Sequence, residues 1–179
     1  MTVTVEPREF KFVNFDAALI ERVTRSMAEA IGIERPVRVE VDESTQLGRV
    51  EIDIADTVTL RIQSGALEDS RRPRHQSEGA TSATIGRALL RVRDRLEGGF
   101  GEAPADDALS LRQSAAWDTY VATRLQRLGL PVNRQRYVYN FRNRHGFTDV
   151  ADGAFERIWQ TDGLTWGELE SISTTGAAS

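Results

Sequence analysis

Cysteine is absent from this chain, histidine occurs twice and lysine once. Without cysteine there are no disulfides and no thiolate metal sites. His75 and His145 are the only imidazoles, and no HExxH or other close histidine pair exists, so nothing points to zinc. No metal and no cofactor is expected. Long apolar runs are missing too: no stretch approaches the roughly 18 residues that span a bilayer. Residues 1–8 contain neither a basic nor an apolar leader segment. These absences predict a cytoplasmic protein with no membrane partner.

Excess positive charge is also lacking. Against 23 basic residues stand 27 acidic ones, a net charge of 23 − 27 = −4, which argues against a dedicated nucleic-acid binder. Of the basic residues, only Lys11 is not arginine. That ratio resembles the codon bias of a GC-rich, actinobacterial-type genome, so an arginine cluster by itself carries little information. With 40% hydrophobic residues the composition is that of an ordinary globular protein.

What is present is clear periodicity. Leu19, Val23, Met27 and Ile31 repeat at helical spacing between a capping Asn14 or Asp16 and Gly32. Three segments then alternate strictly: Val37/Val39/Val41, Val50/Ile52/Ile54 and Val58/Leu60/Ile62 face one way and polar residues the other. Period two with one wet face predicts an antiparallel meander. Residues 64–80 read as a loop, and a second helix spans about 82–96. Ser110 with Gln113, and Thr165 with Glu168, have the capping-box spacing that opens a helix. Gly129 and Pro131 stop the third helix, and a further short helix spans about 150–159. The sum is an α+β fold: a small antiparallel three-stranded (or slightly larger) sheet packed on helices, with a helical C-terminal half. One globular domain, 1–173, with a flexible tail, 174–179, is expected.

Residues 134–147 are the most distinctive stretch, with four arginines, four aromatic rings, no acid and His145. If it is extended, Tyr137, Tyr139 and Phe141 share a face. Arg134, Arg136, Tyr137, Tyr139, Arg142, Arg144 and His145 are therefore the candidate binding residues. An acidic protein surface is the favoured partner, a phosphate-bearing ligand is possible on the same chemistry, and nucleic acid ranks lower because of the net charge. Core anchoring of the rings, with wet arginines, is the plainer alternative. His145, with Asp149 and Asp152 beyond it, has the residue types for general acid–base work in a metal-independent phosphate-ester or small-molecule enzyme. Catalysis would require these groups to meet in a concave pocket. A structural subunit burying the same rings at a symmetric interface is a third reading.

Other clusters are weaker. Glu68, Asp69 and His75, and the pair Asp106-Asp107, lack metal-specific spacing. Arg87, Arg91 and Arg95 form one helical stripe, read as a solvated face. Gly98-Gly99-Phe100-Gly101 follows a helix instead of opening one, so it is a helix stop and not a phosphate loop. The order helix, three strands, helix, helix over 14–129 resembles the zincin-like metalloprotease fold. There the helix after the third strand carries HExxH, whereas here it reads Ser82-Ala83-Thr84-Ile85-Gly86-Arg87-Ala88-Leu89-Leu90-Arg91. The resemblance implies architecture without the zinc chemistry. Residues 141–149 resemble an actinobacterial family signature to which no activity is attached.

Overall fold

The computed structural model spans the 179-residue chain, and residues 1–177 are described below. The chain divides into two compact units, Met1–Arg93 and Asp94–Ser179.

The first unit is built on a four-stranded sheet. Its strands are β1 (Val3–Glu6), β2 (Val37–Asp42), β3 (Val50–Ile54) and β4 (Val58–Gln63), in the order β1-β2-β4-β3. Strands β1, β2 and β4 run parallel, and only β3 is antiparallel, paired to β4. The alternating segments are thus strands, but the meander is replaced by a mixed sheet in which β4 inserts between β2 and β3. Period two reports which face is buried; it does not report which strand lies alongside. Val3, Val5, Val37, Val39, Val41, Val58, Leu60 and Ile62 are buried on one face, while Glu6, Arg38, Asp42 and Arg61 on the other are exposed. A parallel sheet buried on a single face alternates just as an antiparallel one does, which is why the pattern misled.

Helix α1 (Ala17–Ile31) buries Ile20, Val23, Ala28 and Ile31. The Asp16 carboxylate caps it by accepting from Ala18 N, and Gly32 ends it at φ 83°. The segment expected as a loop holds a 3₁₀ turn (Ser64–Ala66) and a small hairpin of β5 (Glu68–Asp69) and β6 (Arg72–Gln76). Helix α2 (Glu78–Leu96) starts four residues earlier than the apolar spacing suggested, and the division between units falls within it.

The second unit is helical: α3 (Leu111–Arg127), α4 (Arg134–His145), α5 (Asp149–Gln160) and α6 (Trp166–Gly176). Both capping boxes form. Ser110 Oγ accepts from Gln113 N at 3.1 Å, Thr165 Oγ1 accepts from Glu168 N at 3.4 Å, and each N3 side chain reaches back to its cap. Helix α6 continues to Gly176, into the stretch expected as a tail; Ala178 and Ser179 lie outside the described residues. The rings of Phe100, Trp117, Tyr120 and Trp166 form the centre, with neighbouring centroids 5.0–5.9 Å apart. Asp94, 2% exposed, sits against them. Its carboxylate takes two hydrogen bonds from Arg124, at 2.6 and 2.7 Å, and one from Trp117 Nε1 at 2.8 Å. The class is α+β with a helical C-terminal half.

Candidate functional site

Residues 134–145 are helical, so the extended reading of this stretch does not hold. Asn133 caps the helix by accepting from Arg136 N, and the missing apolar periodicity is replaced by a short inward stripe of Val138, Phe141 and His145. At 3.6 residues per turn these three fall on one side and Arg136, Tyr139 and Asn143 on the other. Tyr137, Tyr139 and Phe141 therefore part company: Phe141 is fully buried, Tyr137 is half-buried, and Tyr139 is 59% exposed.

His145 is in the core, 6% exposed, with its ring stacked on Phe141 at 3.7 Å and nearly parallel. Its Nδ1 lies 3.1 Å from the carbonyl of Phe141 and its Nε2 lies 2.7 Å from Ser173 Oγ. A carbonyl only accepts, so Nδ1 carries the proton and Nε2 accepts from the Ser173 hydroxyl. Burial pushes the imidazole below its ordinary pKa; the Phe141 carbonyl opposes this and the charge of Arg112 adds to it. The ring is neutral, with both nitrogens engaged by groups other than Asp149 or Asp152.

The carboxylates and arginines sort themselves differently from the acid–base reading. Asp152 accepts two hydrogen bonds from Arg142, from Nε and Nη2, both at 2.8 Å, and this guanidinium holds its carboxyl below the ordinary range. Asp149 is exposed in the first turn of α5, favourably placed for the helix dipole. Arg134 pairs with Glu156 and lies over the rings of Phe155 and Trp159, at 5.2 and 5.4 Å. Two of the four arginines thus tie α4 to α5. Arg136 and Arg144 point outward, and among the described residues neither makes an ion pair with a carboxylate. Arg112 on α3 donates from Nε to the Arg144 carbonyl, which brings a third guanidinium to this end of α4.

Beside these cations is exposed apolar surface. Phe147, 64% exposed, meets Tyr139 edge to face at 6.0 Å, and Val150 and Leu111 are also exposed. The outer side of α4 thus presents Tyr139, with Phe147 against it and Arg136 one turn before it, while Arg144 is exposed farther round the helix.

The remaining clusters resolve into structure. His75 Nδ1 meets Asn14 Nδ2 at 3.2 Å, and Glu68 Oε2 accepts from Arg74 N. No group of three or more His, Cys, Asp or Glu placed to hold a metal ion occurs among the described residues. Arg95, expected on a solvated stripe, instead donates to the carbonyls of Ala103 and Pro104 and to Asp106.

The first unit contains a cleft that the sequence did not disclose, of about 660 Å³. It lies where β1, β2 and β4 end and β3 begins, lined by Glu6, Glu40, Asp42, Arg49, Glu51 and Arg61 with Pro7, Val41 and Ile62 as apolar wall. Glu6, Glu40, Arg61 and Glu51 form one rung across the four strands. Arg61 Nε pairs with Glu40 and Arg49 Nε with Glu51, each at 3.2 Å. Only strand order creates this rung, and strand order was the part that periodicity left open.

No helix among the described residues is long and apolar enough to cross a membrane. Comparison with protein-family models, with curated proteins and with solved structures gave no match.

Proposed function

We infer that this protein is a binding module whose second unit docks an acidic polypeptide segment on the outer side of α4. The observation that carries this reading is the exposed edge-to-face pair Tyr139–Phe147, with exposed Arg136 one turn before Tyr139 and exposed Arg144 three residues before Phe147. Aromatic rings and arginine are the side chains that concentrate interface energy: rings bury large area with few rotatable bonds, and the guanidinium presents a planar fork of donors. Guanidinium groups without an internal carboxylate are the natural partners of Asp and Glu on another chain. His145 takes no part in binding; stacked on Phe141, it fixes the inner side of the helix that presents the patch. A protein surface is favoured over a polynucleotide because the whole chain carries −4 and repels a phosphate backbone beyond the patch.

The test is a fluorescence-anisotropy titration with a labelled peptide of Glu and Leu residues containing one Trp, beside the same peptide with Gln for Glu. The acidic peptide should bind at low salt and weaken as salt is added. Tyr139→Ala, and Arg136→Ala with Arg144→Ala, should each lower the affinity by about tenfold. No binding at low salt, equal binding by the Gln peptide, or unchanged affinity in the variants would overturn the reading. Tighter binding of single-stranded RNA through the same residues would replace it.

A further inference from the structure

We propose that the partner of the α4 surface is the strand-end cleft of a second copy of this chain, so that the protein associates head to tail. This rests on the reading of α4 as a docking surface and names its occupant. The argument is charge complementarity. Four carboxylates line the cleft (Glu6, Glu40, Asp42, Glu51) against two guanidinium groups (Arg49, Arg61), a local balance of 2 − 4 = −2. Arg61 is committed to Glu40 and Arg49 to Glu51. Glu6 and Asp42 are left with no cation among the described residues. Asp42 accepts from the hydroxyl and the N–H of Ser44 on one oxygen, which leaves its other oxygen open.

Glu6 also stands directly beside Glu40 in the parallel register. Like charges at neighbouring positions are unfavourable, and a cation delivered from outside relieves them. Strand spacing and rise put the backbones of Glu6 and Asp42 roughly 8 Å apart. Eight helical residues separate Arg136 from Arg144 by about 12 Å along the axis and roughly 80° around it, a difference that the long arginine side chains span.

Apolar surface matches as well. The loops leaving β1 and β2 carry Phe12, 66% exposed, and Leu47, 67% exposed. Glu43 holds these loops together by accepting from Lys11 N and Phe12 N at 2.8 and 2.7 Å. Phe12 and Leu47 offer Tyr139 and Phe147 an apolar counterpart next to the carboxylates. A volume of 660 Å³ accommodates inserted side chains. Because the two surfaces differ, the contact is heterologous: it closes into a ring or propagates into chains.

Sedimentation velocity from micromolar to millimolar protein, at low and high salt, tests this. The native chain should sediment faster with concentration at low salt and revert to monomer at high salt. A surface variant (Arg136→Glu, Arg144→Glu) and a cleft variant (Glu6→Arg, Asp42→Arg) should each self-associate more weakly by on the order of tenfold or more. An equimolar mixture of the two should regain association, because it contains one native pairing of surface with cleft. Circular dichroism melts confirm that both variants fold. A native chain that stays monomeric at millimolar concentration and low salt, a mixture that stays monomeric, or association unaffected by either variant would overturn the proposal. Retention of acidic-peptide binding in a strictly monomeric protein would sink self-association while leaving the docking reading intact.

Discussion

Arg124 holds Asp94 through both carboxylate oxygens, at 2.6 and 2.7 Å, in the interior of the second unit. The guanidinium also lies 3.8 Å over the ring of Tyr120, and Asp94 receives Trp117 Nε1. Each charge is thus neutralised and hydrogen-bonded, the condition under which burial is tolerated. Arg124→Met leaves a buried carboxylate unpaired and should destabilise the protein by about 3–5 kcal/mol in urea unfolding. The double variant Asp94→Leu/Arg124→Met leaves no charge and should lose less than the single one. A double variant worse than Arg124→Met would show that the pair contributes net stability of its own.

His145 makes stability depend on pH in a definite direction. Burial lowers its pKa in the folded protein below 6.5, the value of the free side chain. As pH falls below 6.5 the unfolded chain takes up the proton before the folded one does, so stability declines, and the decline ends below the folded pKa. His145→Gln should flatten this part of the stability–pH curve. Urea midpoints measured across the acid range decide it, and a stability that rises on acidification through this window would contradict the buried neutral ring.

Gly176 is held against α5. A Cβ added there would lie 2.5 Å from Ala154 Cβ, closer than two carbons approach. Gly176→Ala should therefore cost about 1–3 kcal/mol, partly recovered by Ala154→Gly in the same chain. Additive losses in that double-variant cycle would mean the two positions do not touch.

The two capping boxes give a smaller, cleaner measurement. Ser110→Ala and Thr165→Ala each remove the acceptor for an N3 amide and should cost about 1 kcal/mol. Ser110→Asp keeps an acceptor and should be nearly neutral. A melting shift seen with aspartate but not with alanine would contradict the capping role.

Those boxes were legible in the sequence because their partners are three residues apart, as were the periodic helices and the two-residue alternation of the strands. Local chemistry decides such features. Strand order was not legible, since Glu40 meeting Arg61 depends on β4 passing between β2 and β3. The helix at 134–145 was hidden because its inward side is only Val138, Phe141 and His145, with the rest of its contacts made through arginines. The stretch was distinctive for the right residues, Arg136 and Tyr139 among them, but the face these two share follows from helical and not extended geometry. Asp94 offered no signal at all. It lies among Arg91, Arg93 and Arg95, and its burial is set by Arg124 thirty residues on.

The parallel pairing of β1 with β2 and of β2 with β4 also has a kinetic meaning. Within this four-stranded sheet β3 and β4 are the pair joined by a hairpin, with Val58 opposite Ile54. That local pairing closes a short loop and forms early, whereas Val3 must find Val37 across a long intervening segment. Substitutions at Val50 or Leu60 should slow folding, and truncations of Val3 or Val5 should instead quicken unfolding. The sheet's edge strand β1 is on this view the last to join and the first to leave, so the mouth of the cleft at Glu6 is set by the least persistent part of the sheet.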